Sequence, residues 1–112
     1  MDLEWIRKLC LALPGATENI QWGNDLLFKV NGKIFATASL EPNGSAFTFK
    51  CTPEEFADLS ERPGCVPARY VGRAKWITLQ TLDALPARET QRLLRQSYDL
   101  IVSKMPRKNR PA

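Results

Sequence analysis

At 112 residues, 44% hydrophobic and 25% charged, the chain has room for one hydrophobic core and departs from disordered and fibrous compositions. The net charge of +4 is carried by the second half: residues 1–60 hold five Lys/Arg against eight Asp/Glu, residues 61–112 eleven against four. There is no histidine, which removes the imidazole of the usual Ser-His-Asp, Cys-His and His-metal arrangements.

Leu3, Ile6, Leu9, Cys10 and Leu13 recur at three- and four-residue steps, which predicts an amphipathic helix that Pro14-Gly15 stops. Thr17 to Trp22 begins a strand, and Leu26–Val30 is a second run of strand formers. Asn31-Gly32 supplies the two residues that tolerate positive φ in a type I′ turn, so Leu26–Val30 should pair antiparallel with Lys33–Leu40. A turn at Glu41-Pro42-Asn43-Gly44 leads to a half-buried strand from Ser45 to Cys51. Thr52-Pro53-Glu54-Glu55 reads as a capping box for a helix to about Ser60, with Phe56 and Leu59 facing the sheet. Cys65 to Leu79 reads as one or two strands around a Gly72 turn, and a last helix starts at Leu85-Pro86 and stops at Pro106, its inner positions Leu93, Leu94, Ser97, Tyr98, Ile101 and Met105. The order is α-β-β-β-β-α-β-β-α. It predicts an α+β, two-layer domain over residues 1–105, an antiparallel sheet of about five strands with an N-terminal, a middle and a long C-terminal helix, followed by a basic flexible tail, 106–112.

The N-terminus lacks the basic start and apolar run of a signal peptide, and no stretch approaches the ~18 apolar residues of a spanning helix. A cytoplasmic protein with no membrane contact is expected. Cys10, Cys51 and Cys65 form an odd set without C-x-x-C; they read as three separate reduced thiols, with a Cys51–Cys65 redox pair or a nucleophilic Cys51 as the alternatives. No catalytic residue, metal site or cofactor is predicted, and rarer lysine or carboxylate chemistry stays open.

The cations suggest a different role. Lys29, Lys33, Arg69, Arg73 and Lys75 fall near hairpins that could straddle a duplex backbone, although a solvated strand face accounts for them about as well. Arg107, Lys108 and Arg110 lie in the tail, which prolines keep extended and which could graze phosphates or simply aid solubility. Trp22 and Trp76 could stack on bases, or pack against the helices and close the end of the sheet.

Leu13-Pro14-Gly15-Ala16-Thr17-Glu18, Trp22-Gly23 with Asp25, Phe28-Lys29-Val30, Gly32-Lys33-Ile34-Phe35-Ala36, Lys50-Cys51, Pro67 with Tyr70, Lys75-Trp76, and Ser97-Tyr98-Asp99-Leu100 before Lys104-Met105-Pro106 together resemble the MmcQ/YjbR family of small bacterial proteins. The resemblance covers nearly the whole chain. It implies a secretion-chaperone-like fold, described as a double-wing DNA-binding motif, without an established enzymatic activity. Asn24 stands where relatives commonly carry histidine. The resulting expectation is a non-enzymatic, DNA-binding accessory protein contacting mainly phosphate, a monomer or weak homodimer. A protein-interaction or chaperone-like module with a protein partner is the alternative, and a small-molecule enzyme the third.

Overall fold

A computed structural model describes residues 2–21, 24–40, 47–68 and 74–111. Helix α1 spans Leu3–Leu11; the Asp2 carboxylate caps it by accepting the Trp5 N–H at 3.0 Å. It ends two residues before Leu13, and Gly15 takes the left-handed φ of +74° that lets the chain turn into strand β1, Ala16–Gln21. Strand β2, Asp25–Val30, and strand β3, Lys33–Ser39, are joined by Asn31 and Gly32 at φ +50° and +81°, the expected tight turn.

Strand β4, Phe47–Lys50, is followed by helix α2, Pro53–Leu59. The Thr52 hydroxyl accepts the Glu55 N–H at 3.2 Å. The Glu55 carboxylate is engaged by Arg92 at 2.8 Å, which gives a hydroxyl cap with the acid turned to a tertiary ion pair. Leu59 is fully buried and Phe56 half-buried against the core. Strands β5, Cys65–Pro67, and β6, Trp76–Leu79, precede helix α3, Ala87–Ser103, and a short 3-10 turn at Arg107–Asn109. The turns expected at 41–44 and at Gly72 lie outside the described residues.

Among the described residues, six strands form one antiparallel sheet in the order β1-β2-β3-β4-β6-β5, one more than the count of about five, with the expected order of elements intact. The helices cover one face: α1 lies on β1, α3 on β3 and β4, and α2 on β5 and β6. Pleating sends Phe28, Ala36, Phe47, Phe49, Ile77 and Leu79 into that layer, where they meet Ile6, Leu59, Leu93 and Leu94. On the other face, register aligns Asn19, Leu27, Thr37, Thr48, Thr78 and Val66 in one row across all six strands. The Thr48 and Thr78 hydroxyls meet at 2.8 Å within it.

The β2–β3 register slips at Phe35: Phe28 pairs with Ala36 and Lys29 with Ile34, leaving Phe35 as a bulge. Its ring is fully buried and meets Tyr98 edge-on at 5.4 Å. The β3–β4 ladder runs no further than Ala36 and Phe49, and the buried Ser97 takes over there, its hydroxyl donating to the Phe35 carbonyl at 2.6 Å and accepting the Lys50 N–H at 2.9 Å. A position that periodicity places in the apolar stripe of α3 is the polar clasp between two strands.

Candidate nucleic-acid interface

The end of the sheet marked by the β2–β3 turn gathers cations. Lys29 lies between Phe28 and Val30, both fully buried on the helix side, so its side chain leaves from the opposite face. Lys50 likewise lies between buried Phe49 and Cys51, and register sets it directly opposite the half-buried Trp76. Strands β2 and β4 are two strand spacings apart, roughly 10 Å. Lys33 opens β3 and is exposed.

Helix α3 adds to this end. Its C-cap is Lys104; burial, and then the Lys104 ammonium, push the Lys50 ammonium below the usual lysine range. A cavity of about 430 Å³ at this end is lined by Asn31, Lys33, Ile34, Ile101, Lys104, Met105, Pro106 and Asn109. Among the described residues, Lys29, Lys33, Lys50 and Lys104 form no ion pair. Five acids are engaged with arginines elsewhere: Glu4 and Glu18 with Arg7, Glu89 with Arg62, Glu55 with Arg92, and Asp99 with Arg95.

The tail folds back instead of extending. Arg110 Nη2 donates to the Ser103 carbonyl at 2.9 Å, a group that the end of α3 leaves open, and its Nε to the Met105 carbonyl just beyond the helix at 3.0 Å. The Asn31 side-chain amide donates to the Asn109 carbonyl at 2.9 Å, and Pro111 lies against Gly15. This docking engages Arg110 as a cap and leaves Arg107 and Lys108 exposed in the turn between Pro106 and Asn109, which line the same cavity as Lys33 and Lys104.

The remaining sequence candidates separate. Lys75 has φ +66° and holds its ammonium 5.0 Å from the centroid of the Phe56 ring, on the helix side, so it does not join Lys29 and Lys33. Arg69, Arg73 and Trp22 lie outside the described residues. Trp76 closes the end of its strand on the face away from the helices, with Lys50 as its cross-strand neighbour. In the sequence Lys50 and Lys104 stand in the family-like motifs Lys50-Cys51 and Lys104-Met105-Pro106. The signals for a charged role were an acid-free stretch after Asp99 and a lysine between two inward-facing residues, and neither reveals that the two share one end of the domain.

The thiols are free and buried. Burial pushes Cys51 up to about 12 and raises Cys10 and Cys65 as well, the opposite of what a nucleophilic or readily oxidised thiol requires. Among the described residues, no group of three or more Cys, Asp or Glu is placed to hold a metal ion, and no helix is long and apolar enough to cross a membrane.

Two solved structures share this architecture. The Deinococcus radiodurans protein DR2400, which carries a DUF419 domain, superposes with a TM-score of 0.84 at 23% identity over 96% of this chain and 84% of its own. A Pseudomonas syringae protein superposes with a TM-score of 0.74 at 22% identity over 89% of this chain and 98% of its own. At such identities the likeness concerns the fold. No curated protein matches the sequence. The family model described as YjbR matches residues 11–100, from the end of α1 through most of α3 and so through every strand of the sheet, and on that span the chain belongs to the MmcQ/YjbR family.

Proposed function

We propose that this protein is a non-enzymatic DNA-binding accessory protein that contacts mainly the phosphate backbone. The observation that carries the reading is the gathering of Lys29, Lys33, Lys50, Lys104, Arg107 and Lys108 at one end of the domain, none of them in an ion pair among the described residues. Unpaired cations on a shared surface attract a polyanion, and the counterions released from each neutralised phosphate make such binding steeply salt-dependent. Trp76 beside Lys50 offers an indole to an unstacked base.

The test is a mobility shift of the full chain on duplex and single-stranded DNA, titrated from low to moderate salt. Affinity should fall steeply, and Lys29→Gln and Lys33→Gln should each reduce the log–log salt slope by about 1. Absence of any shift at low salt overturns the reading.

A second reading, a protein-interaction module, is favoured by one observation. Strand β1 is an edge of the sheet and Ile20 on it is 60% exposed, which suits strand addition by a partner or a second copy. Sedimentation showing a dimer that Ile20→Lys dissolves, with no response to DNA, would favour it over DNA binding.

A further inference from the structure

Among the described residues, the two edges of the sheet differ. Strand β5 has three residues and ends on Pro67, which carries no N–H to offer a neighbour. Strand β1 has six residues in unbroken register with β2, and neither a proline nor a lysine lies along it. Ile20, on the helix side of the sheet and paired with Leu26, is 60% exposed. Ile20 and Leu40, two of the three large apolar side chains left exposed among the described residues, line one cavity of about 410 Å³ together with Leu3, Arg7 and Glu18. Arg7 donates to Glu18 at 3.0 Å, and the residues of β1 on the opposite face, Thr17, Asn19 and Gln21, are uncharged.

We propose that β1 pairs antiparallel with β1 of a second copy of this chain, about a two-fold axis at Ile20, so that the two sheets run on as one. Directly opposite residues of an antiparallel pair share a face, so a symmetric pairing is centred on one residue. Centring on Glu18 sets two carboxylates against each other, and centring on Asn19 sets Ile20 against the Glu18 carboxylate. Centring on Ile20 brings the two isoleucines together, sets Asn19 across from Gln21 on the other face, and keeps each Glu18 with its own Arg7. Charge and apolar match therefore select a second copy in one register. The inference rests on the interaction-module reading and names its partner. The two β2–β3 turns with their lysines then point to opposite ends of the joined sheet, clear of the seam, so the pairing neither requires nor blocks DNA.

The experiment is sedimentation velocity of the full chain from about 1 to about 300 µM, with variants at the seam. The parent should pass from monomer to dimer as concentration rises, and Ile20→Lys, which sets two ammoniums face to face, should raise the dimer Kd about tenfold or more. Ile20→Cys should form a disulfide-linked dimer under mild oxidation, because opposed Cβ atoms lie about 4.5–5.5 Å apart while Cys10, Cys51 and Cys65 are buried. Asn19→Cys should not, since its counterpart then lies two residues along the seam. Ile20 is exposed, so its variants keep the core, which an unchanged urea midpoint verifies. A dimer that Ile20→Lys leaves intact overturns the placement, and cross-linking through Asn19→Cys in place of Ile20→Cys overturns the register. A chain that stays monomeric throughout overturns the self-pairing. Hydrogen exchange then separates the two claims: outward β1 amides that exchange fast leave the edge open to another protein's strand, and amides protected in the monomer remove the interaction-module reading too.

Discussion

Ser97 accepts the Lys50 amide N–H at 2.9 Å while its own hydroxyl hydrogen goes to the Phe35 carbonyl, so one side chain of α3 closes the gap where β3 and β4 part and fixes the backbone from which Lys50 projects. Replacing Ser97 by alanine leaves a buried N–H and a buried carbonyl without that partner. The expected cost is about 2 kcal/mol, read as a lower urea midpoint with an unchanged slope. An unchanged midpoint would show that the clasp contributes nothing.

Glu18 extends from β1 to Arg7 on α1, and that hydrogen bond holds its carboxyl below the usual carboxylate range. A carboxylate whose pKa is depressed by folding adds stability above its unfolded pKa, about 4.3, and loses it as pH falls through the lower folded value. Glu18→Gln should therefore lower the melting temperature at pH 7, and the gap from the parent should shrink as pH drops below about 4. A constant gap would remove the ion pair as its cause.

Arg110 is predicted to act on the fold before any ligand. Arg110→Ala frees the Ser103 and Met105 carbonyls and releases the turn that carries Arg107 and Lys108. Amide exchange over residues 104–111 should accelerate at least about tenfold, while the sheet keeps its protection. If DNA is bound, the salt slope should fall by more than the single unit expected of one lost phosphate contact.

The thiols give a prediction in the alkaline range. Their raised values in the folded chain mean that the unfolded chain ionises first, so stability is full below about 8.5 and declines as pH rises above it. Cys51→Ala should flatten part of this decline in denaturation curves taken from pH 7 to 10. In the native state at pH 8, a disulfide exchange reagent should modify Cys51 only at the rate of unfolding; rapid stoichiometric labelling would contradict its burial.

Local chemistry was legible because it depends on near neighbours along the chain. Asn31-Gly32 accepts positive φ wherever it stands, Thr52 caps the helix that follows it, and alternation about Phe47 and Phe49 sets one strand face. The same reading misassigned the tail, because Pro106 and Pro111 say only that a helix stops. Whether Arg110 then meets solvent or the open carbonyls of α3 depends on the path of the chain. It also grouped Lys75 with the hairpin lysines, since proximity to a turn does not reveal that a left-handed residue aims its side chain at Phe56.

The sequence by itself determined the order of elements, the tight hairpin and the family, all of which rest on periodicity, turn residues and motif order. Only the tertiary structure decided which cations share a surface. Lys50 ends a strand and Lys104 caps a helix far along the chain, and they come to one end of the domain because Ser97 clasps α3 to the parting of β3 and β4. Such convergence arises from packing between distant segments, and residue spacing carries no record of it.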